Sequence, residues 1–123
     1  MASNKVFRFG PIALTNTLTT NLLNPAGATG GTNGGSSGQY IVLRHVRVVN
    51  KTAGAVTYSL WLGATGANAA GTEVIGQAKS VAANSVDDWY GMLRLDTTDF
   101  LVGGASANTS LSIEGEGEVG VAG

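Results

Sequence analysis

Short runs of apolar and β-branched residues, separated by Gly-rich stretches, organise this 123-residue chain. The densest run is residues 39–63, QYIVLRHVRVVNKTAGAVTYSLWLG. Two β-branched, aromatic-rich segments there flank Asn50-Lys51-Thr52-Ala53-Gly54. The pattern predicts a hairpin: strand, short Gly-containing loop, strand. In the first segment Ile41, Leu43 and Val49 share one parity, and Tyr40, Val42, Val46 and Val48 the other. Both faces are apolar, so this strand is expected to be central. In the second, Val56, Tyr58, Leu60 and Leu62 share one parity, and Thr57, Ser59 and Trp61 the other, which predicts a half-exposed strand.

Elsewhere the pattern is sparser but of the same kind. Residues 5–9, KVFRF, alternate as a short strand or extended arm. After Gly10-Pro11, the apolar positions Ile12, Leu14 and Leu18 suit a strand that Leu22 and Leu23 close. Residues 24–38, NPAGATGGTNGGSSG, read as a mobile loop, because glycine leaves the backbone unrestrained. A loop of that length is functional, disordered or ordered by a partner. A second Gly-Ala loop covers 63–72, and further strands are expected over Glu73–Ser80 and Trp89–Asp96. Gly103-Gly104 is expected to break the chain after Val102. Towards the C-terminus Leu111, Ile113, Gly115, Gly117, Val119 and Val121 share one parity, while Ser110, Ser112, Glu114, Glu116 and Glu118 share the other. One long strand, or two joined at a glycine kink, fits that alternation.

No helical period extends beyond two turns. The expectation is therefore an all-β fold: an antiparallel β-sandwich of seven or eight strands, jelly-roll or immunoglobulin-like, with an extended N-terminal arm and long Gly-rich loops. Its length makes it a single domain, 1–123, with the arm and first strands in 1–23 and the flexible loop in 24–38.

Composition narrows the class of object. Charged residues make up 12% of the chain, about half the usual share, so the surface is neutral and built of small residues. Such surfaces suit proteins that pack against copies of themselves or against partners. Cysteine is absent, which excludes disulfides and thiolate metal sites. No apolar run is long enough to span a bilayer, and residues 1–14 lack a signal-peptide core, so the chain is expected to stay in the cytoplasm unless it leaves within a particle. Lys5, Arg8, Arg44, Arg47 and Lys51 meet no acid within 1–51, while residues 52–123 hold two basic residues against eight acidic ones. The readings of this asymmetry are chance with pairing within the molecule, or else complementary surfaces between subunits or a basic arm facing an acidic partner. The basic residues are too sparse for a nucleic-acid module.

Candidate chemistry is thin. Gly34-Gly35-Ser36-Ser37-Gly38 matches the pattern of a nucleophile elbow, but no strand precedes it and no helix follows, as that motif requires. His45, the sole histidine, lies mid-strand and reads as structural. Glu114, Glu116 and Glu118 share one strand face at roughly 6–7 Å spacing, a weak metal candidate against the plainer reading of a solvated edge strand. Asp87-Asp88 reads as a turn. Trp61, Trp89 and Tyr90 are core residues or, on the sharper reading, an interface or carbohydrate platform. Asn50-Lys51-Thr52 and Asn108-Thr109-Ser110 match the glycosylation sequon, discounted without a signal peptide. No catalytic residue and no cofactor are expected.

The segments IVLRHVRVVNKTAGAVTYSLWLGATGANAAGTE and VAANSVDDWYGMLRLDTTDFLVGGASANTSLSIEGEGEVGV, roughly residues 40–121, resemble small structural proteins of tailed bacteriophages. The resemblance lies in the VRVVN strand, the LWLGATG strand, the AANS…DWYG turn and the IEGEGEVGV tail. It implies a β-sandwich virion protein, made in the host cytoplasm, without enzymatic activity. The fuller expectation is a capsid decoration or cement protein that bridges capsomers as a homo-oligomer, a trimer, on the major capsid protein. Its partner contacts are expected at Lys5, Phe7, Arg8 and Phe9 of the arm and at Asn33 and Ser36 of the loop, with no nucleic acid or membrane involved. The alternative is a tail or adsorption component contacting host glycan.

Overall fold

A computed structural model of the chain describes residues 5–25, 40–64, 66–96 and 98–120. Among these there is no α-helix, and eight strands carry the fold: β1 (Lys5–Leu14), β2 (Asn21–Leu23), β3 (Tyr40–Asn50), β4 (Val56–Gly63), β5 (Lys79–Val81), β6 (Ser85–Asp96), β7 (Phe100–Ala105) and β8 (Leu111–Gly120). They form two antiparallel four-stranded sheets, ordered β1-β8-β3-β6 and β2-β7-β4-β5. One core cluster draws Phe9, Leu14, Ile41, Leu43, Val46, Val48, Leu95 and Ile113 from the first sheet and Leu22, Leu23, Val56, Tyr58, Leu60 and Leu101 from the second. The chain is thus a β-sandwich.

The hairpin expected at 39–63 does not form. β3 pairs with β8 and β6, and β4 with β7 and β5, so residues 51–55 carry the chain from one sheet to the other. Asn50 fixes this corner. Fully buried, its Nδ2 donates to the carbonyls of Gly54 (3.0 Å), Val81 (3.0 Å) and Ala82 (3.2 Å), and its Oδ1 accepts from Thr52 N (2.9 Å) and Thr52 Oγ1 (2.7 Å). Two of these partners, the Val81 and Ala82 carbonyls, lie at the end of β5 in the other sheet. A buried amide must be hydrogen-bonded, and the crossing supplies the partners.

β3 is central, as its sequence indicates, but not because both faces are apolar. The register shifts at Arg44 against both neighbours. This bulge reverses the alternation, so Ile41, Leu43, Val46 and Val48 all point into the core, and Tyr40, Val42, His45, Arg47 and Val49 do not. β4 is more buried than its pattern suggests. Ser59 and Trp61 lie on the face away from the core, yet are 9% and 7% exposed. The 73–78 segment lies against this strand: Val74 N donates to Leu60 O, and Ala78 N to Ser59 Oγ at 2.7 Å.

Four further expectations are corrected. The extended arm is an edge strand, β1, paired with β8 from Lys5 to Leu14. The strand expected through Leu18 ends at Leu14, because Thr15 and Thr20 side chains hydrogen-bond within a turn. Glu73–Ser80 is strand only from Lys79, since Ile75 and Ala78 take left-handed backbone angles that interrupt a ladder. Gly103 and Gly104 lie inside β7, where a side chain on Gly103 would strike the Ser59 carbonyl oxygen. Here glycine marks a close approach rather than a break. β8 is one uninterrupted strand with the predicted alternation: Leu111, Ile113, Gly115, Gly117 and Val119 buried, Ser112, Glu114, Glu116 and Glu118 outward.

Candidate functional site

The outer face of the first sheet gathers most of the charged residues of the sandwich. Three strands supply a ladder. β8 presents Glu114, Glu116 and Glu118 at alternate positions, and β3 lies beside it with Arg47 opposite Glu114 and His45 opposite Glu116. Arg44, turned outward by the bulge, donates from its guanidinium to Glu118 Oε2 at 3.1 Å. His45 Nδ1 lies 3.3 Å from Glu116 Oε1, and its Nε2 2.8 Å from Asp88 Oδ1 on β6. Arg47 Nε donates to the same Asp88 oxygen at 2.8 Å. Hydrogen bonds from Arg47 and then His45 hold the Asp88 carboxyl below its ordinary range, and Asp88 in turn raises Arg47.

Arg44 and Arg47 each face an acid from a distant part of the sequence, so part of the charge asymmetry between the two halves of the chain is met by pairing within the molecule. The three glutamates share a face, but they meet Arg44, His45 and Arg47, and among the described residues no group of three acidic or imidazole side chains is placed to hold a metal ion. Asp87-Asp88 forms part of β6 rather than a turn, because both carboxylates have cross-strand or cross-sheet partners. Asp87 Oδ2 accepts from the Tyr58 hydroxyl at 2.6 Å and lies 3.1 Å from Lys79 Nζ. That cluster ties the second sheet to the first. Burial, and secondarily the Asp87 hydrogen bond, push the Tyr58 phenol well above its usual pKa.

A shallow depression of about 220 Å³ on this face is lined by Arg8, His45, Arg47, Glu114, Gly115 and Glu116. A groove of about 410 Å³ beside the second sheet is lined by Leu18 and Tyr58 together with small residues such as Ser59, Gly104 and Ala105. In the first, His45 faces two carboxylates, those of Glu116 and Asp88, rather than a hydroxyl.

The expected site residues separate clearly. Arg8 is exposed and lines the depression. Phe9 is fully buried, which removes it from the expected partner contacts: it stands opposite Gly115, and its ring occupies the space where that residue's side chain would be. The side chains of Lys5 and Phe7, residues Asn33 and Ser36, most of the 24–38 loop and the 34–38 Gly/Ser motif lie outside the described residues. Trp61 is buried and cannot serve as a carbohydrate platform. Trp89 packs at the margin of the core. Tyr90 is 71% exposed and stacks on His45, with ring centroids 4.6 Å apart. Asn50, too, is buried with its amide fully engaged, which removes it as a glycan acceptor in the folded chain.

Sequence reasoning missed Arg44, Arg47 and Asp88 as members of the ladder. Their signal is present in the basic residues spaced along β3 and the acidic ones alternating along β8. The bulge shifts the two out of phase, so alternation alone does not align them. No protein-family model matches the chain, and no curated protein matches its sequence.

Proposed function

We propose that the chain is a structural protein of a tailed-bacteriophage virion, one that decorates the outer capsid shell as a homo-oligomer and stabilises it by bridging capsomers. The observation that carries this reading is the nesting of the strands. β4 pairs with β5, β3 with β6, β2 with β7 and β1 with β8, as in one long hairpin rolled across two sheets. That order supports a jelly roll over an immunoglobulin-like sandwich, and jelly rolls recur in viral capsid and lectin domains. Fold alone assigns no function. The sequence resemblance over residues 40–121 adds the virion context, and the neutral, cysteine-free composition suits a particle assembled in cytoplasm.

The mechanism is linkage. A protein that binds the assembled lattice better than free subunits stabilises the lattice. Arg8 and the paired charges beside it offer a polar docking face, and Asn33 and Ser36 of the Gly-rich loop are proposed as further contacts with the major capsid protein. The test is cosedimentation with emptied, mature capsids of a tailed phage that encodes this chain. Saturable binding to capsids, with a raised temperature of capsid disruption, is the expected result; copurification with tails and no binding to capsids overturns it.

One observation favours a second reading, a tail or adsorption component that contacts host glycan. The exposed, His45-stacked ring of Tyr90 presents a flat aromatic face of the kind sugars bind. Glycan-array binding lost in Tyr90→Ala would select this reading over the first.

A further inference from the structure

The four sheet edges of the sandwich are not alike. An exposed strand edge is a template for pairing with another chain, and folded proteins blunt it with shortness, proline or bulges. β2 and β5 have only three residues each. β1 carries Pro11 and a register shift between Phe9 and Ile12. β6 is the longest of the four edges: it runs for 12 residues without proline at the end of its sheet, and its register shift against β3 falls between Tyr90 and Leu93. Its centre is also the most apolar exposed stretch of the described surface, with Tyr90 71% and Met92 67% exposed.

We propose that β6 is the contact edge of a two-fold dimer, in which two copies of this chain pair β6 with β6 antiparallel about Gly91 and merge their first sheets. The strand sequence is self-complementary in that register. Asp88 falls opposite Arg94 of the second copy, and Arg94 opposite its Asp88. Tyr90 falls opposite Met92 on the outer face. On the inner face Trp89 falls opposite Leu93, and these are the two partly buried apolar residues of β6 that pack against the core margin. The dimer would extend both cores across the seam.

Other registers fail on charge or face. A shift of one position sets outward residues against inward ones. A shift of two sets Asp88 opposite Asp96 in one direction, a like-charge pair, and opposite Met92 in the other, with no ion pair. Asp88 has capacity for the contact: its Oδ1 accepts from His45 and Arg47, while its Oδ2 has only a long 3.5 Å approach from Arg47. Opposite charges at both ends of a two-fold seam satisfy each other twice, as an isologous interface requires. The inference is independent of the virion reading. It replaces the trimer expected from the resemblance with a two-fold contact.

Sedimentation equilibrium of the full chain over a dilution series tests it. A reversible dimer, or an even-numbered species built from it, is expected; a monomer throughout, or a trimer, overturns it. Met92→Lys places a charge in the seam and is expected to weaken association about ten-fold or more. Because Met92 is exposed, its monomer should keep the wild-type circular dichroism and unfolding midpoint. Cysteine labelling tests the register, since the chain has no native thiol. Tyr90→Cys mixed with Met92→Cys should oxidise to a disulfide dimer faster than either variant alone. A dimer that shows no such preference overturns the register.

Discussion

At the scale of single residues, the fold depends on a few side chains whose roles their chemical type does not announce. Asn50 looks like a turn residue and half of a sequon, yet it is the polar centre of the corner between the sheets, with five hydrogen bonds to main chain and Thr52. Truncating it removes a partner from the buried Val81 carbonyl and from the Thr52 amide. Asn50→Ala is expected to destabilise the chain by about 1–3 kcal/mol, because orphaned buried polar groups keep their desolvation cost. Urea denaturation should show a lower midpoint with an unchanged slope. Phe9 offers the converse lesson: an aromatic residue that reads as a surface anchor fills a hole left by a glycine on the neighbouring strand.

At the scale of elements, β8 fits between β1 and β3 because two positions of its inner face, Gly115 and Gly117, carry no side chain. A methyl group at Gly115 would collide with the Phe9 ring and also press on the His45 carbonyl oxygen, and one at Gly117 would strike the Val42 carbonyl oxygen. The Phe9 ring is the one of these obstacles that a substitution can remove. Gly115→Ala is expected to cost about 1–3 kcal/mol through overpacking. Adding Phe9→Leu should recover part of that loss, so that the double variant is more stable than the sum of the single effects. Additive effects in thermal or urea unfolding would show that the two sites are not in contact.

At the scale of the whole molecule, the basic and acidic halves of the chain meet across the first sheet. Asp88 joins them through His45 and Arg47, and its folded pKa lies below the ordinary aspartate value of about 4. In that window the unfolded chain binds more protons than the folded one, so stability rises with pH. The contribution of Asp88 is complete above the ordinary value and is lost as pH falls through the lowered one. Asp88→Asn should therefore be less stable than wild type at neutral pH, with the difference shrinking under acid. A series of unfolding midpoints between about pH 2 and 7 measures this, and a pH-independent difference would contradict it. The same strand would form the dimer seam.

The sequence by itself determined what alternation can encode. β8 is legible because nothing interrupts its period of two, and β3 because an apolar run in an all-β chain belongs at the centre of a sheet. The all-β sandwich follows from such runs and the glycines between them. Only the tertiary structure decided which strands pair. Residues 40–49 and 56–62 are adjacent in sequence, and a short loop can turn back or cross over; here it crosses, and the buried amide of Asn50 finds partners on both sides of the corner. The bulge at Arg44 is likewise invisible locally, since it exists only relative to β6 and β8, and it alone turns Arg44, His45 and Arg47 to one face. The charged face is therefore a product of register. Register is fixed by packing between distant strands, which no local window of sequence contains.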